Sequence, residues 1–413
     1  MSQRMNFDAL IIGGGPVGAS AAIALAQAGL QVAVVEPVPA DALHQPSYDG
    51  RSLVLNHASM QILGGLGLLP GLSGQHQPVA HIHVSQMGRL GTTRLHAGDM
   101  GVEALGHVVE AAALGQALRR GLEETAGISL LCPAKLLSFR QQAEQVEATI
   151  STESGEQLLT APVMVAADGQ NSLVRQQLGI GVDSHDYGQT AVVSTVTPQL
   201  PHNGWAWERF TRTGPLAMLP RVGQRLGVVW CAETEQAKTL MALDDEAWLA
   251  AIQKRFGFRL GRLQQPGKRM SYPLRRLQAR QEIAPRVVLV GNASHAVHPV
   301  AGQGFNLGLR DVAWLAEVFA QAHAEHTDLG ADPVLLRYHS GRSLDQQQTL
   351  QFTDNLVRLF SNDWPLLGHL RGLGLIGADV LPGAKASLAR GAMGYRGRLS
   401  RLARGERLDK VQP

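Results

Sequence analysis

Near the start of the chain Gly13, Gly15 and Gly18 stand in G-x-G-x-x-G spacing between two apolar runs, and nothing else in the 413 residues constrains the fold so tightly. Residues 8–12 read as a buried strand, 16–28 as a helix stopped by Gly29, and 31–36 as a second strand, so the segment is a βαβ unit. Gly13 permits the tight turn, Gly15 lets a pyrophosphate approach the backbone, and Gly18 lets the helix pack against the sheet. The helix N-terminus offers phosphates unpaired N–H groups and the positive end of a dipole. Glu36 closes the second strand, where a carboxylate can accept hydrogen bonds from an adenosine ribose. The pattern specifies a dinucleotide site and leaves NAD and FAD undistinguished.

Two later segments lengthen the ligand. Residues 161–167 read as a buried strand ending at Asp168-Gly169, and residues 286–290 as another ending at Gly291-Asn292 and leading into Pro299, Gly302, Gly304, Phe305 and Asn306. In open α/β sheets ligands collect beyond the carboxyl ends of strands. Three such ends, each finishing in small and polar residues, indicate one extended ligand gripped at several points. The sequence has no second glycine-rich βαβ unit for NAD(P)H, so the electron donor is expected to be met only transiently.

These motifs, together with the runs Asp49-Gly50-Arg51, Gly214-Pro215-Leu216-Ala217-Met218-Leu219-Pro220 and 290–311, resemble the class A flavoprotein monooxygenases, the para-hydroxybenzoate hydroxylase-like group, and within it the ubiquinone-biosynthesis hydroxylases. The resemblance spans roughly residues 5–380. It implies an α/β fold: a Rossmann-like FAD-binding domain of the glutathione-reductase-like superfamily, an inserted β-rich substrate domain and a helical C-terminus. Residues 1–75, 100–182 and 272–345 would form the FAD domain, 76–99 and 183–271 the substrate domain, and 346–413 the helical region with its tail. Segments 191–196, 205–211 and 226–230 read as strands of the insert. The resemblance implies FAD as cofactor, NAD(P)H or another electron donor and O2 as co-substrates, and hydroxylation of a polyprenylated methoxyphenol in ubiquinone biosynthesis through a flavin C4a-hydroperoxide. Another flavin hydroxylase, a polyprenyl reductase of the same superfamily, and a non-catalytic flavoprotein subunit of a biosynthetic complex remain open.

The resemblance also implies roles. Gly13, Gly15, Gly18 and Glu36 hold the ADP half of FAD, and Arg51 reaches the flavin side of the pyrophosphate or the ribityl chain. Asp168 and Gly169 serve FAD and the passing nicotinamide. Gly291 and Asn292 contact ribityl and pyrophosphate; Asn292 stands where the broader family has Asp, which keeps a hydrogen-bonding group and removes a negative charge. Pro299, Gly302, Gly304 and Phe305 form a turn ahead of a helix expected at 308–320. From that turn the N–H groups of Asn306 and Leu307 aim at the flavin N1/C2 oxygen, where charge gathers on reduction. Pro299, Asn306 and Leu307 are therefore the catalytic candidates. His295 and His298 form an H-x-x-H pair without further ligands nearby, and no metal is expected.

Composition limits the rest. Cys132 and Cys231 are far apart and in no ligand-spaced cluster, which points to neither disulfide nor zinc. No signal-like segment and no membrane-length apolar run occurs, so the expected location is cytoplasmic, with a peripheral position at the inner face of the membrane left open. The net charge of +3 divides unevenly: residues 381–413 hold eight Lys/Arg against Glu406 and Asp409, a tail of +6, and the remainder carries −3. A tail of this kind reads as solvated or as a surface for anionic lipid. Just before it, Phe352, Leu356, Leu359, Phe360, Trp364, Leu367, Leu370, Leu373 and Ile376 recur at helical spacing. The expected partners are a polyprenyl-phenol lipid, with a membrane surface and other ubiquinone-biosynthesis proteins as further candidates, and no nucleic acid.

Overall fold

The computed structural model describes residues 4–39, 50–360, 365–395 and 397–408, with the backbone alone for 365–369. Asp49 and Trp364, the Leu367 side chain, and Arg396, Asp409 and Lys410 of the tail lie outside the described residues.

The chain forms a mixed α/β structure. A six-stranded sheet orders its strands as Ile283–Ala284, Val287–Leu289, Val163–Ala166, Ala9–Ile12, Val32–Val35 and Ile128–Leu131. All but the first neighbouring pair run parallel. The central strands are short and continuously apolar because both faces are covered. On one face lie the helices Pro16–Gln27, Ala111–Glu124 and Gln303–Ala324, packed through Ile23, Leu118, Leu315 and Phe319. On the other lies a four-stranded sheet built mainly from 134–161. The carboxyl ends of the strands at 9–12, 163–166 and 287–289 meet at one edge, tied by Ala167 N–H to Ile12 O (2.8 Å) and Val290 N–H to Ala166 O (3.0 Å).

A second, nine-stranded sheet includes His81–Gln86, Thr92–His96, Val182–Pro198, Trp205–Thr211, Gly214–Arg221, Arg225–Glu233 and Met270–Ala279. Its residues alternate between faces with period two. Leu226, Val228 and Trp230 turn toward the helices Thr234–Ala242 and Asp245–Phe256 and pack on Trp248 and Phe256. Val229 and Cys231 turn the other way and line a cavity.

The C-terminal part is helical, as Asp332–Phe360, Pro365–Val380 and Pro382–Ala392. Borders drawn at 271/272 and 345/346 fall inside the strand Met270–Ala279 and the helix Asp332–Phe360. The basic tail is docked only in part: Leu402, Ala403 and Leu408 are buried in the core of the parallel sheet's helical face, while Arg390, Arg398, Arg404 and Arg407 stay exposed. Arg401 and Arg404 pair with Glu406, Lys385 with Asp99, and Arg398 lies over the Trp314 ring. Apolar residues between the arginines docked this segment, a signal that the charge count concealed.

Candidate active site

The glycine turn is built as its spacing requires. Gly13 has φ +103°, and a Cβ there would stand 2.6 Å from the Ala167 carbonyl oxygen. A Cβ on Gly18 would collide with the Gly13 carbonyl. Gly15 is the N-cap of the helix Pro16–Gln27. Glu36 stands beside this turn, its carboxylate accepting from Gly14 N–H (2.6 Å) and Val38 N–H (2.8 Å).

The second strand end gives Asp168, whose Oδ2 accepts from Leu173 N–H (2.7 Å) and Val174 N–H (3.2 Å). Its Oδ1 is buried without a protein partner. The third gives Asn292, exposed on the single turn Gly291–Ala293. Arg51 places its guanidinium 4.8 Å from the centre of the Tyr272 ring.

The turn and the strand ends border a single cavity of about 1200 Å³. Gly13, Gly15, Glu36, Arg51, Asp168, Gly169, Asn292, Pro299, Gly302, Gly304, Phe305 and Asn306 line it. Gly18, Gly291 and Leu307 stand behind the wall. Gly18 serves helix packing, and Gly291, with φ +55°, is buried and donates its N–H to Asp311 Oδ2 (3.4 Å). A cradle that admits no Cβ, a helix N-terminus beside it and an unpartnered carboxylate oxygen fit a dinucleotide with its phosphates at the turn.

The segment expected as a turn ahead of a helix is different. Helix Gln303–Ala324 begins five residues before the expected position, with Gly302 as N-cap. Asn306 and Leu307 are then its fourth and fifth residues, and their N–H groups enter the helical ladder rather than the cavity. The free N–H groups at this end belong to Gln303, Gly304 and Phe305. The Asn306 side chain instead joins two elements: its Nδ2 donates to Val54 O (2.7 Å) and Gly302 O (2.6 Å), and its Oδ1 accepts from Asn56 N–H (2.9 Å). Two left-handed residues in succession, Ala301 (φ +58°) and Gly302 (φ +62°), turn the chain into the helix. A non-glycine residue there stores strain of about 1–3 kcal/mol, next to the exposed N–H groups.

Behind that turn lies a network of buried charges. Asp311 accepts from His295 Nε2 (2.6 Å), Arg342 Nε (2.9 Å) and Gln346 Nε2 (3.0 Å). Asp345 pairs with Arg310 (2.8 Å) and Arg342 (2.7 Å). Burial alone would raise the Asp311 carboxyl, yet the charges and hydrogen bonds of His295 and Arg342 hold it well below the carboxylate range. The H-x-x-H pair is divided between separate tasks: His298 Nε2 donates to Gln189 Oε1 (3.1 Å) while its Nδ1 accepts from Val300 N–H (3.2 Å). Burial pushes the His298 pKa down to about 4. Among the described residues no group of three or more His, Cys, Asp or Glu is placed to hold a metal.

The far side of the cavity is the inner face of the nine-stranded sheet. Ala206, Glu208 and Phe210 share it, with Ala217 opposite Glu208 and then Val229 and Val193 across the sheet. Phe352, Leu356 and Phe360 of the helix Asp332–Phe360 and Leu375 of Pro365–Val380 complete this apolar wall. Tyr272 and Glu208 are cavity residues that motif reading missed. The alternation of 205–211 carries the signal, since a carboxylate there shares parity with alanine and phenylalanine.

The FAD binding domain family matches residues 6–353. Ubiquinone hydroxylase UbiL of Rhodospirillum rubrum is 39% identical over 388 residues, covering 94% of this chain and 89% of that one. The 3-demethoxyubiquinol 3-hydroxylase of Escherichia coli is 33% identical over 373 residues, covering 89% and 94%. Among solved structures, p-nitrophenol 4-monooxygenase of Pseudomonas putida superposes with a TM-score of 0.75 at 17% identity, covering 95% of this chain and 99% of that chain, a likeness of fold.

Proposed function

Because this chain belongs to the FAD binding domain family and is an FAD-dependent monooxygenase, we propose that it hydroxylates a polyprenylated methoxyphenol on the route to ubiquinone. The observation that carries the reading is the cavity, whose one end is the polar, glycine-lined cradle and whose other end is mostly apolar. A dinucleotide suits the first and an alkylated aromatic ring the second. The relatives are ubiquinone hydroxylases by name.

Bound FAD, reduced by NAD(P)H and reacting with O2, supplies the oxygen atom. The protein's own residues do the rest. The glycine turn, Asp168, Arg51 and Asn292 hold the cofactor, and the free N–H groups of Gln303, Gly304 and Phe305 present positive potential where the reduced ring gathers charge. The apolar wall excludes water and orients the phenol. In this reading the nine-stranded sheet with its helices is the substrate domain and the parallel sheet with its layers the FAD domain.

The substrate is a lipid, and we place the helix Pro365–Val380 at the bilayer surface. Leu370, Leu373, Ile376 and Val380 lie on one exposed face, Leu373 at 63% and Val380 at 69% exposure, while Leu375 and Ala378 line the cavity. No described helix is long and apolar enough to cross a membrane. Interfacial contact by this face brings the cavity wall to the lipid. Replacing Leu373 and Val380 by Asp is expected to abolish co-sedimentation with vesicles without altering FAD content; unchanged co-sedimentation would exclude this face.

The hydroxylase reading is tested with purified protein, FAD, NAD(P)H and a short-chain 2-prenyl-6-methoxyphenol under 18O2. One labelled oxygen in the ring of the product is the expected result. Reduction of the prenyl chain without oxygen uptake would instead mark a polyprenyl reductase.

A further inference from the structure

Among the described residues that line the cavity from the nine-stranded sheet, most are apolar, Thr93, Ser194, Thr195, Tyr272 and Arg275 are polar, and Glu208 is the one carboxylate. Strand Gly214–Arg221 presents Pro215, Ala217 and Leu219 to the cavity, and strand His81–Gln86 presents Ile82 and Val84. Strand Arg225–Glu233 presents Val229 and Cys231, and helix Asp332–Phe360 presents Phe352, Leu356 and Phe360. Glu208 stands in the middle, with Val84 in register on one side and Ala217 on the other. Its carboxylate makes no ion pair or hydrogen bond among the described residues, unlike Asp311, Asp345 and Asp354, which are all paired. An ionisable group left alone in an apolar wall costs stability, and its one open direction is the cavity.

We propose that Glu208 is a catalytic residue that binds the phenol hydroxyl of the substrate and takes its proton, an assignment that rests on the hydroxylase reading above. The phenol O–H bond breaks and a new O–H bond forms on the Glu208 carboxylate. The electron pair stays on the phenol oxygen and is released into the ring toward the para carbon, the position that must attack an electrophilic oxygen. The neutral acid left behind suits the apolar wall better than the carboxylate did, so the transfer relieves a desolvation penalty. The same hydrogen bond fixes which edge of the ring faces the cofactor end.

The proton affinity agrees with the task. Burial raises the Glu208 pKa to about 7, where a base is both available and effective near neutrality. Among the described residues the other ionisable side chains that line the cavity from this sheet are Cys231, Tyr272 and Arg275; the Cys231 thiol is pushed up by burial and by Glu208 itself, so it stays protonated across this range.

The experiment compares wild type, E208Q and E208D with FAD and the short-chain prenyl methoxyphenol. FAD content, read from the flavin absorbance, should be unchanged in both variants. In E208Q kcat should fall about 10²- to 10⁴-fold with KM altered far less, and NADPH oxidation should uncouple from product. The wild-type rise of kcat through pH 7 should vanish. E208D should recover part of kcat. An E208Q enzyme with wild-type kcat and an unchanged pH profile would overturn the assignment while leaving the hydroxylase reading intact. A wild type that takes up no labelled oxygen would overturn both.

Discussion

A buried network of charges behind the Gly302 turn and a lone, half-buried carboxylate on the far wall of the cavity are treated in opposite ways. Behind the Gly302 turn, Asp311, Asp345, Arg310, Arg342 and His295 are woven together, with Asp311 wholly buried and its proton affinity lowered. On the sheet opposite, Glu208 has no such company and its proton affinity rises. The first arrangement spends its charges on holding the strand end at Gly291 against the helix Gln303–Ala324. The second leaves a charge available for something that is not protein. Pairing marks structural carboxylates here, and its absence marks the functional one.

The largest expected effect breaks the paired side. D311A leaves His295 buried without its acceptor and Arg342 with Asp345 alone, and losing one partner of a buried pair costs about 3–5 kcal/mol. Chemical denaturation of the FAD-loaded protein measures it. A loss below about 1 kcal/mol would show that the network relaxes around the gap. Next in size is acid sensitivity at the same turn. His298 has its pKa depressed by burial to about 4 against an ordinary 6.5. The unfolded chain therefore binds the proton first, and stability is lost as pH falls from about 6.5 to about 4, by up to about 3 kcal/mol. Unfolding curves at pH 7 and pH 4.5 should show the loss, and H298N should flatten it. Asp311, depressed in its turn, adds a further loss only below the ordinary carboxylate range.

What the sequence made legible follows from how local each signal is. The turn at Gly13–Gly18 depends on residues adjacent in the chain, so spacing alone places it, and the strand ends at Asp168 and Asn292 announce themselves by small polar residues after apolar runs. Helix Gln303–Ala324 begins five residues before its sequence pattern predicts, because Gly302, Gly304 and Gly308 imitate a loop. Gly308 is there to let Val17 approach, since a Cβ would stand 2.8 Å from its methyl. Packing, not chain flexibility, selected that glycine. Glu208 was invisible for another reason. Its meaning depends on Val84, more than a hundred residues away in the chain, and on a cavity closed by the C-terminal helices.

A smaller effect sharpens the comparison at the cofactor. Asn292 is exposed into the cavity at the end of the strand that the Asp311 network steadies. N292L removes a hydrogen-bonding group from the ribityl side and should weaken FAD binding by about 1–3 kcal/mol, roughly tenfold or more in Kd, whereas N292D should change it little. Fluorescence titration of apoprotein with FAD reads both. Equal affinity for the Leu variant would separate Asn292 from the cofactor.

The smallest effect concerns the unpaired carboxylate without any substrate present. A raised acid pKa means that the folded protein holds the proton more tightly than the unfolded chain, so Glu208 withdraws stability as pH rises from the ordinary 4.5 toward about 7. At pH 5 the carboxyl is neutral and E208Q should match wild type. At pH 8 the wild type carries a charge against Val84 and Ala217 that the amide lacks. The shift caps the effect at about 3 kcal/mol, solvent at a half-buried side chain cuts it to about 1 kcal/mol, and E208Q should melt higher by about 1 °C in a chain of this size. The sign is the important part, because removing a paired carboxylate such as Asp311 lowers the melting temperature at every pH above its titration. If E208Q melts lower than wild type at pH 8, Glu208 has a protein partner that stabilises its charge, and the distinction between the two regions fails.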